Sequence, residues 1–531
     1  MLKGLIAARG GTVLRVLGLL LCCCCLSLLP ACSPDALKQV EVNPAGAVRL
    51  PAEEYILLRA YRPDISIELN RLDGAPARFT VMVQNMAAEY AQVTLSATPG
   101  RQEASVTRRI ISDTEIALDI EGGEGKQIIE LFTRPADTGG PVTFAVVGDS
   151  QGRNDTLAVA LDQINQSEAA FLIHLGDFTP SGQEGEYLAF LETLQHLAIP
   201  CYTVPGNHDI KGNGAMLYQN LLAPSFHYFD YRGLRLVFLD SSTLELGEAQ
   251  LAWLEDLLAQ GDRGVLLFQH APPVDPRGKG HALLDPGEAQ RFLALAAGAG
   301  SAVKGMFFGH IHIYHAQVED GIACVISGGG GASLYAPPDE GGYHHYTLVT
   351  VTEEGSVRVE PCPVEPPARS LDISCYGRKG ELEITAAELE AMSVISGQSC
   401  FQNIYGNFRG EGTYRGVPVS RLVEAVGGME PGDQLLVYSG DGYVQAYAYE
   451  NVYPREAGWY GYQGDMILAI EYNGTTPPEW EDGYRIVFLP EDGVYDNSDC
   501  EHSSAPGQGW HLYQSAGSRW VRMVTRLEVL P

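Results

Sequence analysis

The sequence predicts an α/β protein in which a β-sandwich flanked by helices is preceded by a small all-β sandwich and followed by an α+β module. Three observations predict it. From residue 142 to about 360, continuous apolar strands alternate with helix-period segments, the pattern of sheets covered by helices. Ahead of this, residues 48–138 hold short alternating runs such as Ile65-Ser66-Ile67-Glu68-Leu69 and Phe79-Thr80-Val81-Met82-Val83, separated by Gly- and Asp-containing breaks. Behind it, the Pro-rich stretch 361–372 reads as a linker to a Tyr- and Gly-rich region, 373–531, with short strands and one clear helix at 420–426. A length of 531 residues fits three or four domains of roughly 150 residues each.

The chain opens with cations at Lys3, Arg9 and Arg15, an apolar run from Val16 to Leu29, and Leu29-Pro30-Ala31-Cys32. The run is short for a bilayer span and fits a signal peptide over 1–31. Leu-x-Ala-Cys resembles the bacterial lipobox, which implies lipidation at Cys32, a tether over 32–47, membrane anchoring through that lipid, and a place at the cell surface or in the periplasm. An uncleaved anchor leads to the same compartment. Six cysteines lie beyond this region, and an oxidising compartment permits disulfides among them; Cys400 with Cys500 is the expected pair, with free thiols the alternative.

With 66 Asp+Glu against 35 Lys+Arg the net charge is −31. So acidic a surface repels phosphate backbones, which excludes nucleic-acid polymers as partners held by bulk electrostatics. An anionic substrate then needs a local source of positive charge.

Five strand ends in 139–360 carry residues of metal-ligand type: Gly148-Asp149-Ser150-Gln151, Gly176-Asp177, Gly206-Asn207-His208-Asp209, His270, and Gly309-His310-Ile311-His312. Successive candidate ligands Asp149, Asp177, Asn207, His270, His310 and His312 are 28, 30, 63, 40 and 2 residues apart. Each group follows an apolar strand, so all can converge on one sheet edge, where α/β folds place their sites. Carboxylate, amide oxygen and imidazole together suit a pair of first-row metal ions. Singly, each dipeptide is ordinary turn chemistry; five in order are not.

This ordered set resembles the calcineurin-like metallophosphoesterase superfamily, which includes the purple acid phosphatases. The resemblance implies one metal on Asp149, Gln151, Asp177 and His312, and another on Asp177, Asn207, His270 and His310. It implies His208 beside the substrate phosphate, as acid or transition-state stabiliser, with Asp209 orienting its ring. Position 151 is Gln where many members have His, so a harder metal such as Mn or Fe, or a weakly filled site, is expected there; Zn completes the candidate metals. Pro180 stands where purple acid phosphatases carry a Tyr ligand. The implied reaction is hydrolysis of small phosphomono- or diesters by in-line attack of a hydroxide held between the metals.

Arg153 and Asn154 follow the first loop, where an Arg can pair with substrate phosphate or simply lie on the surface. His281 falls in a Gly- and Pro-containing stretch, 272–286, long enough to cover the site. Gly328 to Gly331 reads as a flexible turn, and His174, Tyr314 and His315 as packing. The N-terminal sandwich resembles the one preceding the catalytic domain of purple acid phosphatases, a scaffold of fibronectin-III-like type. The C-terminal module, through Tyr414-Arg415-Gly416-Val417-Pro418-Val419 and Trp520-Val521-Arg522-Met523-Val524-Thr525, resembles the sulfite-oxidase-type molybdopterin-binding fold. Cys400 is near the position of that family's molybdenum ligand, but basic pterin-binding residues are not evident, so no pterin is expected. A molybdopterin-type oxidoreductase on a phosphatase scaffold, and a non-catalytic surface binding protein, remain open at this point.

Overall fold

The computed structural model describes residues 34–99, 101–133, 140–261, 263–298, 302–367, 371–477, 479–480 and 482–531. The signal-like segment and Cys32 lie outside the described residues. Among those described, no helix is long and apolar enough to cross a membrane. The chain divides into two units at Pro366.

The first unit starts with nine strands, β1 (Val40–Ala45), β2 (Ala47–Leu50), β3 (Ile56–Ala60), β4 (Asp64–Arg71), β5 (Arg78–Gln84), β6 (Gln92–Ala97), β7 (Ala104–Ser112), β8 (Glu115–Gly122) and β9 (Lys126–Phe132). They form two sheets, ordered β1-β4-β9-β6 and β2-β3-β5-β8-β7. The period-2 alternation is realised in β4, whose Ile65, Ile67 and Leu69 are buried while Ser66 and Glu68 are half-buried. β5 buries both faces: Phe79, Val81 and Val83 enter the core between the sheets, whereas Met82 joins Leu57 and Ala117 against the following α/β part. Two expectations need correction. Pairing of β1 with β4 puts residues from Val40 onward in the sandwich rather than in a tether reaching 47. The sandwich also exceeds the seven-stranded fibronectin type, since nine strands include a parallel β3/β5 pair.

The α/β part contains β10 (Val142–Val147), β11 (Leu172–His174), β12 (Cys201–Thr203), β13 (His227–Tyr231), β14 (Leu234–Phe238), β15 (Gly264–Phe268), β16 (Val303–Phe308), β17 (Tyr314–Glu319), β18 (Ile322–Ser327), β19 (His345–Val351) and β20 (Val357–Pro363). They make two facing sheets, β12-β11-β10-β19-β20 and β13-β14-β15-β16-β18-β17. The space between them is filled largely by aromatics, with Phe144 against Phe171, Phe268 and Phe307. Helices cover the outer faces. Asn154–Ile164 and Glu184–Thr193 pack on Ala145, Val147 and Leu172 of the first sheet; Glu248–Leu258 and Pro286–Gly298 pack on Val237, Leu267 and Met306 of the second. Both faces of each inner strand are thus buried, which is why these strands read as unbroken apolar runs. The Pro-rich stretch does not begin as a linker: Pro361-Cys362-Pro363 is the end of β20. That strand is an edge, paired on one side by β19, so a missing N–H leaves no ladder bond unmade.

The second unit has a five-stranded and a four-stranded sheet around a core that includes Tyr414, Tyr447, Tyr495 and Trp520. The last strand, Val524–Leu530, follows a short 3-10 turn at Ala516–Arg519. All six cysteines beyond the signal-like segment are free thiols. Cys400 lies in the strand Ile395–Gln402 and Cys500 in the helix Asn497–His502, where Cys500 Sγ faces the Ser515 carbonyl at 3.8 Å. The expected Cys400–Cys500 bridge is not formed.

Sandwich and α/β part are joined by Asn85, which is buried in the left-handed region at φ 63°. Its amide donates to the carbonyls of Ala60 (2.7 Å) and Cys201 (2.8 Å) and accepts from the Cys201 N–H (2.7 Å). Asn85→Ala leaves these groups unpaired and replaces a residue that tolerates left-handed backbone by one that does not, so it is expected to lower unfolding free energy by about 3 kcal/mol in a urea titration. Glu115, at the start of β8, gives a pH signature. Burial pushes its pKa up to about 7 against the Gln84 hydrogen bond. A carboxyl raised above its unfolded value contributes stability that is complete below the unfolded pKa and lost as pH rises through about 7. Glu115→Gln is therefore expected to raise the melting temperature at pH 8 while changing it little at pH 4.

Candidate active site

The five loops that follow β10, β11, β12, β15 and β16 meet at one end of the two sheets. Asp149 lies two residues beyond β10, Asp177 three beyond β11, Asn207 four beyond β12, His270 two beyond β15 and His310 two beyond β16. The loops extend the sheet ladder, with the Asp149 N–H donating to Gly176 O (3.0 Å), Gln151 N–H to Asp177 O (2.8 Å) and Gly309 N–H to His270 O (2.9 Å). Such close passage leaves no room for side chains. A β-carbon on Gly206 would come within 2.2 Å of the Asp177 nitrogen, on Gly309 within 2.6 Å of Asp149 Oδ2, and on Gly328 within 2.2 Å of the Ile311 carbonyl. Asp149, Gln151, Asp177 and His310 all take left-handed backbone, at φ 62°, 40°, 54° and 66°. Non-glycine residues at such angles cluster where surrounding structure forces them, as at functional sites.

The side chains form two groups around Asp177. In one, His270 Nδ1 lies 2.8 Å from the Leu175 carbonyl and donates to it. Its Nε2 then faces Asn207 Oδ1 at 3.1 Å, His310 Nδ1 at 3.3 Å and Asp177 Oδ1 at 3.4 Å. In the other, His312 Nδ1 donates to the Ser333 carbonyl (2.6 Å), which turns Nε2 toward Asp149 Oδ1 (3.4 Å) and the Gln151 amide (3.4 Å). The Gln151 amide also reaches Asp177 Oδ2 at 3.1 Å. Asp177 therefore turns one oxygen toward each group. Lone pairs crowded around one imidazole nitrogen call for a proton or a metal ion at their centre, and donor atoms of Asp177, His270 and His310 lie within 4.8 Å of one another. This donor chemistry fits metal ions: Asp177, Asn207, His270 and His310 can hold one, and Asp149, Gln151, Asp177 and His312 another.

The electrostatics point the same way. Burial alone would raise the Asp177 carboxyl, but the His270 imidazole beside it overrides burial and holds Asp177 below the usual carboxylate range. Against its own burial, His270 is raised to about 10 by Asp177. The pocket binds one positive charge tightly, and a proton on His270 and a metal ion compete for that place. Burial, and then His270, push His310 down to about 3, leaving a neutral ring.

His208 and Asp209 are brought to the site, but not as expected of the pair. The His208 ring is oriented by the Pro180 carbonyl, 2.7 Å from Nδ1, and its backbone N–H donates to Asp177 Oδ1 (2.8 Å). Asp209 does not touch the ring. It is fully buried and accepts from the N–H groups of Asp177 (2.8 Å), Gly206 (2.8 Å) and Thr179 (2.9 Å) and from the Thr179 hydroxyl (2.9 Å). A short acid beside a crowded turn satisfies backbone donors more readily than it reaches over its neighbour. Arg153 is also placed otherwise than as a substrate clamp, because its guanidinium is tied to Asp155 (3.1 and 3.3 Å) at the start of the helix Asn154–Ile164. Asn154 is the first residue of that helix and its Oδ1 is buried without a partner. Gly328 to Gly331 is packed, not a flexible turn: Gly330 N–H donates to Gly148 O (2.8 Å), and a β-carbon on Gly329 would collide with His345.

Several residues at the site carry no motif. Tyr335 stacks on His312 with ring centroids 4.0 Å apart. His281 stands at 89° to Tyr335, 5.2 Å away, and 6.0 Å from His310. Asp275 holds their loop by accepting from the N–H groups of Arg277 (2.9 Å), Lys279 (3.2 Å) and His281 (3.1 Å). The stretch 272–286, with its turn-type run Asp275-Pro276-Arg277-Gly278, flags His281 in the sequence, whereas nothing there flags Tyr335. His174 packs behind the site on Phe178 and Phe190. Cys400 belongs to the second unit, where burial, then Glu411 and Asp492, raise its thiol pKa.

Residues 142–314 match the family model of the calcineurin-like phosphoesterases. The first unit thus carries a calcineurin-like phosphoesterase domain, of a family of hydrolases that act on phosphoric ester bonds. The chain is 34% identical over 119 residues to a probable glycerophosphodiester phosphodiesterase of Arcobacter nitrofigilis, covering 19% of this chain and 42% of that one. It is 31% identical over 159 residues to the 3',5'-cyclic adenosine monophosphate phosphodiesterase of Escherichia coli K12, covering 28% and 56%. The chain spans about half the length of the curated relatives it matches. Among solved structures, a purple acid phosphatase from yellow lupin (Lupinus luteus) seeds is 13% identical, with a TM-score of 0.39, covering 60% of this chain and 72% of that one.

Three outcomes follow for the site. Replacing Gln151, a neutral oxygen donor, by His is expected to tighten the weaker of two metal-binding steps by about tenfold or more, read by calorimetric metal titration. Asp209→Ala leaves four buried donors without an acceptor, so it is expected to cost on the order of 3 kcal/mol or more in unfolding free energy and to lower bound metal by elemental analysis. His208→Ala should retain its metal.

Proposed function

We propose that this chain is an extracytoplasmic, metal-dependent phosphoesterase that hydrolyses small phosphodiesters, with monoesters as secondary substrates. The observation that carries the reading is Asp177, with its two oxygens turned to two separate sets of donors. Metal ions held there would lower the pKa of a water molecule and offset negative charge on a phosphoryl group. The protein's own residues supply the rest. Asp149, Asp177, His270 and His312 are nearly or fully buried, so the donors are held without solvent competition. With Nδ1 committed to Pro180, His208 has Nε2 left to hand a proton to a leaving oxygen. Burial lowers the His208 pKa, as does Lys211 nearby, so the ring takes up its proton once a phosphoryl anion is in front of it.

Diesters are favoured because the relatives described above are named as phosphodiesterases. Placement outside the cytoplasm rests on the signal-like start and Leu29-Pro30-Ala31-Cys32, with anchoring through Cys32. The acidic body argues against polyanionic polymers and for small substrates drawn in by the site itself.

The test uses the full chain with aryl mono- and diesters and added Mn, Fe or Zn. Metal-dependent hydrolysis is expected, with Asp177→Ala lowering kcat/KM by about a thousandfold or more and chelation abolishing turnover until metal is restored. Turnover that survives both Asp177→Ala and chelation would sink the reading. Globomycin-sensitive processing and labelling by a fatty-acid analogue, lost in Cys32→Ala, would test the anchor.

A further inference from the structure

We infer that the rim of this site on the His310/His312 side is a preformed corner for a planar ring, and that it selects phosphoesters whose esterified group carries one; the inference rests on the phosphoesterase reading above. His281 and Tyr335 meet at 89°, with centroids 5.2 Å apart. Two rings at a right angle offer a third one a face and an edge together, the two arrangements that aromatic groups prefer. The corner adjoins the expected ligands, since Tyr335 lies on His312 at 4.0 Å and His281 is 6.0 Å from His310. A ring joined to the phosphate through one ester oxygen is therefore within reach of it.

The cation at the corner is compensated. Arg277 sits over Tyr335, its guanidinium carbon 5.4 Å from the ring centroid, but its charge is taken by Asp275 through two bonds of 3.1 Å. Desolvation opposes but Arg277 prevails, and the Asp275 carboxyl is held down at about 2. Because the same carboxylate also accepts the N–H of His281, it fixes both sides of the corner. A cation so compensated does not recruit a second phosphate, so what the rim offers is ring surface. Tyr335 remains 37% exposed and His281 is exposed, so part of each ring is open to solvent beyond what His312 and Arg277 cover. A flexible alkyl group such as glycerol gains little there. An aryl group and a nucleobase share the chemistry the corner recognises.

The test has a readout that does not need turnover. Saturation-transfer NMR on the metal-free full chain, with phenylphosphonate, adenosine 5'-monophosphate and glycerol 3-phosphate as probes, is expected to light the ring protons of the first two and leave the glycerol protons dark. The ring signals should fall in Tyr335→Leu and His281→Ala and return in Tyr335→Phe. With metal added, the ratio of kcat/KM for aryl over alkyl diesters should drop roughly fivefold in Tyr335→Leu and recover in Tyr335→Phe. Signal from adenosine 5'-monophosphate alone narrows the ring to a nucleobase, and from phenylphosphonate alone to an aryl group. No ring preference, or one that survives Tyr335→Leu and His281→Ala, overturns the inference. Ring preference in a chain that hydrolyses no ester with any metal overturns the phosphoesterase reading and leaves the corner standing as a binding site; hydrolysis without ring preference does the reverse.

Discussion

A single carboxylate has to face two ways at the centre of this site, and the surrounding structure is arranged to let it. Asp177 points one oxygen at His270 and the other at Gln151, which its left-handed backbone at φ 54° makes possible. That conformation costs a non-glycine residue roughly 1 kcal/mol or more and would relax if the loop were free. It is held because the Asp177 N–H is captured by Asp209 while the His208 N–H takes Oδ1. Asp209 in turn gathers the Gly206 and Thr179 donors, so that one buried acid locks the loops after β11 and β12 together. The glycines beside these residues follow from the same geometry, since a β-carbon on Gly206 would occupy the place of the Asp177 nitrogen.

Electrostatically the arrangement is unfavourable until something positive enters. Asp149, Asp177 and Asp209 are all buried within a few residues' reach of one another. Burial raises Asp149 despite His312 and His270, and burial with Asp177 pushes Asp209 up to about 8 even though four donors favour its charged form. Only Asp177 is held down, by His270. A protein with net charge −31 therefore concentrates still more acid where it must meet an anion. The sense of this lies in the ligand sets: two metal ions at such a centre would reverse the local field, and a phosphoester would then be attracted to that spot and repelled elsewhere.

The sheet core was readable because its strands are buried on both faces and so appear as apolar runs ending at Val147, Phe268 and Phe308. The candidate ligand residues were readable because each follows such a strand end within a few positions. What escaped lies where sequence neighbours are not spatial neighbours. Asp209 was paired with the adjacent ring, whereas its partners Asp177 and Thr179 lie about thirty residues away. Arg153 seemed free for substrate until Asp155, one helical step on, engaged it. Pro361 and Pro363 signalled a linker, yet an edge strand accommodates them. Tyr335 is an aromatic residue in a loop, and nothing in its own neighbourhood distinguishes it from a core residue; only the fold brings it onto His312.

That contact joins two properties that a sequence would treat as separate. His312 is fixed on one side by the Ser333 carbonyl at 2.6 Å and on its face by Tyr335 at 4.0 Å. Its group is also the one containing Gln151, whose amide is a poorer donor than imidazole for a borderline metal. A weaker ligand set depends more on preorganisation, because ligands that need no reordering lose less entropy when the ion arrives. Tyr335 would thus support the candidate metal group that most needs support, and in the same position it stands beside His281. A substitution there cannot change the ring surface without changing how firmly His312 is held. Comparison of Tyr335→Phe with Tyr335→Leu is informative for this reason, since the first keeps the stacked ring and the second removes it, separating the hydroxyl from the surface that carries both functions.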